Sequence, residues 1–436
     1  MKEHAGKIKE LAGNIEPELV AVRRDLHKHA EAGWTEFRTT ALLAKKLRAL
    51  GYEVELGEKV IRKSAMMGVP KADILKAQME RAVAQGADPA LVAQMAGGMT
   101  GLVATLRCGP GPTVALRFDI DANDLREAQD EKHRPWREGF ASVNPGAMHA
   151  CGHDGHAAAG LGTAMILAKL RDHLAGTVKL IFQPGEEGSR GAAAMEAAGV
   201  LEGVNFIFGG HIGVKARHLG DLICGAREFL ATTKLDVTFT GKPAHAGMAP
   251  EEGRNALLAA ATCALNLHAI SRHGQGASRI NVGSLHAGQG RNVIPSDAVL
   301  QLETRGLTSE INDFMAAEAR RIIEASALMY GVDYQAECAG ATQGGESSPD
   351  MAELAGKIAK TMGCFTHVSG GVSFGATEDF SHLLTSVQKK GGKGTYIQFG
   401  ADVTAGHHQF HFDFNEKVIS YFCEFMATVA FSLLGT

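Results

Sequence analysis

The chain has 436 residues, 45% of them hydrophobic and 21% charged, with a formal net charge of -4 and a pI near 6.6. That is the composition of a globular protein of about two to three domains, and it excludes the strong basic field of a nucleic-acid or anionic-membrane binder, so a small-molecule substrate fits best. The seven cysteines are scattered, odd in number and without CxxC spacing, which argues against a disulfide framework or a zinc finger and for a reducing compartment. The first ten residues lack an apolar signal core, and no run approaches the roughly 18 apolar residues of a membrane span. A cytoplasmic protein without a membrane partner is expected.

Two helices open the chain. Pro17 suits a first helical turn, Leu19, Val22 and Leu26 make an apolar stripe, and a second periodic run ending at Leu50 stops at Gly51. Residues 60–98 read as an insertion of helical character, with a helix from 73 to 84 between Pro70 and Pro89. Apolar runs at 102–106, 113–118, 178–182 and 205–208 alternate with helices at 155–172 and 192–198, the pattern of an α/β layer whose sheet is buried on both faces. Asp119 and Asp121 follow the second run, Glu186 and Glu187 the third, His211 the fourth. Ligand sites in such sheets gather beyond the carboxyl ends of strands, so these residues are expected to converge. From 231 to 337 the order becomes strand, helix, strand, strand, helix, strand, the ferredoxin-like βαββαβ unit. The expected domains are a discontinuous α/β domain, 1–225 and 342–436, and a smaller inserted one, 226–341. Helices at 349–362 and 416–434 around a strand at 395–399 complete the first.

Residues 148–156, MHACGHDGH, pack a thiol, three imidazoles and a carboxylate into nine positions. Gly152 lets the backbone bend so that Cys151 and His153 reach one ion, which marks this stretch as the primary metal site. In QPGEEG at 183–188, Glu186 and Glu187 are adjacent in a tight turn and point in different directions. One can hold a metal while the other handles a proton on water. His211, with glycines beside it, is a further ligand candidate, and His407, His408 and His411 offer three imidazoles among which spacing does not choose. A mixed sulfur, nitrogen and oxygen set suits zinc, with manganese or cobalt also compatible.

With LRFDIDA at 116–122, MHACGHDGHAA at 148–158, QPGEEG at 183–188, GGH at 209–211, GKPAHAG at 241–247, RNVIPS at 291–296, ATEDFS at 376–381 and HHQFHFDFNE at 407–416, the chain resembles the M20 family of metal-dependent peptidases and amidohydrolases, in its aminoacylase-like branch. The resemblance covers nearly the whole chain. It implies an α/β/α catalytic domain with an inserted lid and dimerisation domain, and two divalent ions, zinc or manganese. Cys151, His153, Glu187, His211 and His408 would be the ligands, and Glu186 the general base. His245 would stabilise the oxyanion, and Asn292 would bind substrate, sometimes across a dimer. Arg305 would pair with a substrate carboxylate or sit in a surface salt bridge. Asp119 and Asp121 would be supporting residues, Asp121 orienting a metal-bound imidazole; Asp154 would do likewise or cap a helix.

The implied reaction is hydrolysis of the amide of an N-acyl amino acid, with p-aminobenzoyl-glutamate, a folate breakdown product, as the leading substrate. The alternatives are a general N-acyl-amino-acid hydrolase or dipeptidase, and a metal-binding chain that supports a homologous partner. Assembly would be with a homologous second subunit, in a heterodimer or heterotetramer, or as a homodimer through the lid. Three departures bear on the site: LRFDIDANDL replaces the common LRADMDALP, QPGEE replaces QPAEE, and Gln409 stands after His408 where the family usually has proline.

Overall fold

In the computed structural model, which describes residues 2–436, helix α1 (Lys2–Lys28) turns Ile8, Leu11, Ile15, Leu19, Val22 and Leu26 to one buried face. Their spacing of three and four residues is that of a helical stripe. Pro17, expected to open a helix, lies inside this one: packing of the continuous stripe outweighs the one backbone bond a proline removes. Helix α2 (Phe37–Ala49) and the short strand β1 (Glu53–Leu56) follow. The 60–98 segment contains α3 (Ala72–Ala84) and α4 (Pro89–Gln94), the latter capped by the Asp88 side chain on Ala90 N. It is fastened to the rest by Trp34 Nε1 to Met67 O (2.8 Å) and Arg62 N to Ala194 O (2.9 Å).

Next come β2 (Leu102–Arg107), β3 (Thr113–Asp119), α5 (Arg134–Arg137), α6 (His153–Lys169), β4 (Thr177–Gln183), α7 (Gly191–Ala197), β5 (Phe206–Ile212) and β6 (Asp221–Arg227). The chain then enters a second compact unit, Glu228–Gly345 with Gly375–Glu378. Its elements are β7 (Ala231–Thr240), α8 (Ala256–His268), β8 (Ser278–Ala287), β9 (Asp297–Gly306), α9 (Ser309–Tyr330) and β10 (Asp333–Thr342). The four strands form an antiparallel sheet in the order β10-β7-β9-β8. Leu235, Val237 and Phe239 alternate inward on β7 and pack with Leu300, Cys263 and Met315.

The first unit resumes with α10 (Pro349–Met362), β11 (His367–Ser373), α11 (Phe380–Lys389), β12 (Lys393–Phe399) and α12 (Lys417–Leu434). Its sheet runs β1-β2-β4-β3-β5-β12-β6-β11, and the central β4, β3, β5 and β12 are parallel to one another. Their carboxyl ends therefore lie on one edge. Contrary to the reading of the sequence, one helix, α12, is long and apolar enough to cross a bilayer by length and composition, but 72% of that stretch is buried inside the fold. It packs on α1 and α6 as a core helix. Helix α6 is buried on nearly every side, which explains its small residues. A Cβ at Gly160 would meet Phe182 at 2.6 Å and Phe118 at 2.8 Å, and one at Gly162 would meet Leu19 at 2.6 Å and Cys423 at 3.0 Å.

Candidate metal centre and active site

Four strand ends and one helix start supply the site. Asp119 ends β3, the Glu186-Glu187 turn follows β4, His211 lies within the end of β5 rather than after it, and the loop beyond β12 carries His408. Gly152, at φ 90°, precedes α6 and places Cys151 before the helix and His153 as its first residue. The left-handed conformation there is one that glycine alone adopts without strain.

His153 defines the centre. Its Nδ1 bonds the Asp121 backbone carbonyl at 2.9 Å, with the Asp121 carboxylate at 3.3 Å. The carbonyl, more than the expected side chain, thus orients the ring and aims Nε2 the other way. Nε2 is fully buried and has no hydrogen-bond partner among the described residues. Around it stand oxygens of Asp119 at 3.8 Å, Glu187 at 3.9 Å and Glu186 at 4.0 Å. These separations are too long for hydrogen bonds and match donors that each sit about 2.0–2.2 Å from a shared ion. Burial alone would lower the His153 pKa, but the Asp119 carboxylate overrides it and raises it well above the usual value. The pocket attracts positive charge.

Donor atoms of Cys151, His153 and His211 lie within 4.8 Å of one another, as do those of Cys151, Glu187 and His408, and of His153, Glu186 and Glu187. The groups share members and form one continuous cluster. His211 fixes its Nδ1 on the Ile212 carbonyl at 2.8 Å and presents Nε2 to Cys151 Sγ at 3.3 Å. Burial, then the neighbouring His156 and His407, hold its pKa well below the usual value, so the ring is neutral, as a ligand must be. Glu187 receives His408 Nε2 at 3.2 Å on one oxygen, while its other is buried without a partner among the described residues. Burial raises that carboxyl, yet His408 and His153 outweigh it and keep it ionised. Of the three C-terminal imidazoles, His408 is the one beside Glu187; His407 faces the Ile212 carbonyl at 3.0 Å and His411 the Asp130 carboxylate at 2.7 Å.

Other expected roles shift. His156 is held between Asp119, on Nδ1, and the Ile212 N–H, on Nε2 at 2.9 Å. Asp119 also receives Arg117 Nη1 at 2.6 Å. Asp154 is not the N-cap of α6, a place taken by Gly152; its buried carboxylate meets Arg23 at 2.7 Å and His27 at 2.8 Å, which ties α6 to α1. A second cluster, His27, Glu127 and His133, has separations of 2.8 and 2.7 Å, the length of hydrogen bonds between its own members. In the second unit, Ala246 N bonds Asn292 O at 3.0 Å, which sets His245 and Asn292 on adjoining stretches. Arg305 does not present a free fork: its Nε and Nη2 bond both oxygens of Glu303 at 2.8 and 3.0 Å.

Three residues to which the sequence alone assigned no role shape the site. Glu36 accepts from Gly185 N at 2.9 Å and from the Thr100 hydroxyl at 2.6 Å, pinning the Glu186-Glu187 turn. Asp379, inside the ATEDFS motif, takes bonds from Arg117, Gln183 and Ala192 N. Arg190 follows the turn and lines a cavity with Asp121, Asn123, Glu187 and His408.

The family described as peptidase family M20/M25/M40 matches residues 115–432. The chain is 45% identical over 431 residues to one of the subunits of p-aminobenzoyl-glutamate hydrolase from Escherichia coli (strain K12), across 98% of this chain and 99% of that one. It is 47% identical over 416 residues to indole-3-acetyl-aspartic acid hydrolase of Enterobacter agglomerans, across 95% of each. Among solved structures, the aminobenzoyl-glutamate utilization protein from Klebsiella pneumoniae aligns over 98% of each chain with a TM-score of 0.85 and 39% identity. A Bacillus subtilis dinuclear metal-binding peptidase of family M20 shares the fold, with a TM-score of 0.65 and 24% identity over 97% of this chain and 99% of that one. With residues 115–432 matched by the family and two near-full-length relatives at 45% and 47% identity, this chain belongs to peptidase family M20/M25/M40.

Proposed function

We propose that this chain is a metal-dependent amidohydrolase that cleaves p-aminobenzoyl-glutamate to p-aminobenzoate and glutamate. The observation that carries the reading is the buried His153 Nε2 ringed by carboxylate oxygens of Asp119, Glu186 and Glu187 at 3.8–4.0 Å. The names of two relatives support the substrate: p-aminobenzoyl-glutamate and indole-3-acetyl-aspartate differ in the acyl group but share an acidic amino acid.

Cys151, His153, Glu187, His211 and His408 would hold two divalent ions, zinc or manganese. Bound there, they would supply Lewis-acid chemistry, lowering the pKa of a water and polarising the amide carbonyl. Glu186, its side chain 12% exposed, is the proton carrier: it takes a proton from water as the new C–O bond forms and gives it to the amide nitrogen as the C–N bond breaks. In the second unit, His245 Nδ1 accepts from the N–H of Gly247 at 3.2 Å and Met248 at 3.1 Å. Its proton therefore sits on Nε2, the donor an oxyanion needs. Asn292 joins it in substrate binding, and the second unit acts as lid and dimerisation element. That the Escherichia coli relative is named as one subunit of its hydrolase supports work alongside a homologous partner chain. The scattered, odd-numbered cysteines without CxxC spacing support a cytoplasmic setting.

The test is p-aminobenzoate release from p-aminobenzoyl-glutamate by the purified chain, loaded with zinc or manganese, with and without a homologous partner chain. Release in either arm supports the proposal, and activity confined to the mixed arm makes the partner obligatory. No release in any arm, or equally fast cleavage of N-acyl amino acids with neutral side chains, overturns it.

A further inference from the structure

The Glu186-Glu187 turn ends in a reversal. Gly185 and Ser189 both take left-handed backbone, at φ 61° and 56°, and Arg190 N returns to Gly185 O at 3.0 Å. The reversal folds the Arg190 side chain back over the turn. A Cβ on Gly188 would fall 1.9 Å from Arg190 Nε and 2.5 Å from its Cδ, so the arginine packs directly against the glycine that follows Glu187. There it lines a cavity of about 290 Å³ together with Gly33, Asp121, Asn123, Asp124, Glu187 and His408. The cavity holds two of the proposed metal ligands, so a substrate amide placed on those ligands has the guanidinium within the same small space.

The charge of Arg190 is not matched. Among the described residues no carboxylate lies within ion-pair distance, and the buried Nε has no hydrogen-bond partner. Its one side-chain bond among the described residues is from Nη1 to the Gly68 carbonyl at 3.2 Å. Arg190 is half-buried, with its Nε shut off from solvent, whereas the fully buried arginines of this unit are paired: Arg23 meets three carboxylates and Arg117 meets Asp119 and Asp379. A guanidinium left short of acceptors at the wall of a cavity is a ready fork for an incoming carboxylate. The 60–98 segment gains a purpose as well. Gly68 holds the arginine, while Met67 O binds Trp34 and Arg62 N binds Ala194 of α7, on the two sides of the same turn.

We propose that Arg190, held in place by the 60–98 segment, is the specificity-determining residue that binds the side-chain carboxylate of the acidic leaving amino acid; this rests on the function proposed above. Every N-acyl amino acid carries an α-carboxylate, whereas the side-chain carboxylate separates glutamate and aspartate from the rest. An arginine committed to that group makes the preference for acidic residues a property of one side chain.

The experiment compares wild type, Arg190→Gln and Arg190→Lys on p-aminobenzoyl-glutamate and p-aminobenzoyl-glutamine, with bound metal quantified for each protein. Arg190→Gln is expected to lose about tenfold to a hundredfold in kcat/KM for the glutamate compound, mainly through KM, as one charge-assisted fork is lost. The glutamine compound should change less than about threefold, Arg190→Lys should fall between, and metal content should hold. Equal losses on both compounds, or none on either, overturn the assignment. Should wild type cleave neither amide, the proposed function fails by itself, and calorimetric binding of the same two compounds decides the arginine. A glutamate preference that vanishes in Arg190→Gln supports it; equal binding to both proteins overturns it.

Discussion

The His27 ring is bonded at both nitrogens to carboxylate oxygens, Nε2 to Glu127 and Nδ1 to Asp154, each at 2.8 Å. Two acceptors need two N–H donors, so the ring is an imidazolium. Burial opposes that charge, but the bonds to Asp154 and Glu127 raise the pKa to about 9. A folded-state pKa above the unfolded value of about 6.5 gives stabilisation that is complete below about pH 6.5 and lost as pH rises through 9. Glu127 runs the other way. Burial raises it, but the bonds from His133 and His27 bring it down to about 2, so its contribution is present above its unfolded value of about 4.5 and lost as pH falls through 2. His27→Gln should therefore be less stable by about 3 kcal/mol near pH 6, with a flatter melting-temperature profile from pH 6.5 to 9. Parallel profiles for mutant and wild type would refute the imidazolium. Glu186→Gln should lower kcat by about 10²–10⁴-fold with metal content and fold unchanged; a smaller loss would move the proton-carrying role elsewhere. The residues that gather around His153 were legible because thiol, imidazole and carboxylate are dense at 151–156 and at strand ends. Arg190 and Glu36 were not, because neither carries a local signal: one acts through a backbone reversal, the other from α2's entry onto a turn 149 positions away.

At the scale of elements, α6 shows why small residues were needed where the site is built. It brings His153 and His156 to the sheet only because Gly160 allows Phe118 and Phe182 to approach, and Gly162 allows Leu19 and Cys423. Gly160→Ala should destabilise by about 1–3 kcal/mol through overpacking, despite the better helix propensity of alanine. Denaturant titration would show this, and a gain in stability would mean the helix can shift freely. The same element explains the limits of sequence reading. Long apolar runs such as β3, β4 and β5 were legible, as were α8 and α9 with their stripes. Strand β1 alternates but over only four residues, and β11 carries two adjacent glycines, is largely exposed at the sheet edge and lacks the alternation that marks a strand. Pro17 misled for a related reason, since local chemistry gives way to a stripe that tertiary packing rewards.

For the whole molecule, the carboxylates of Asp119, Glu186 and Glu187 converge on one nitrogen, a concentration of negative charge that divalent ions would relieve. Chelation should abolish activity and lower the melting temperature by several degrees, with recovery when zinc or manganese returns, because a ligand of the native state stabilises it by mass action. An unchanged melting temperature would count against the two-ion proposal. Another consequence comes from α1, α6 and α12 packing together across the chain. During synthesis, α6 leaves the ribosome about 250 residues before α12 can cover it, at a few tens of seconds' delay. Its sheet and the residues around His153 must wait through that interval, while the second unit, almost continuous in sequence, has every strand of its sheet available earlier. The first unit is thus the last to close, and the apolar faces of α1 and α6 wait longest for their cover.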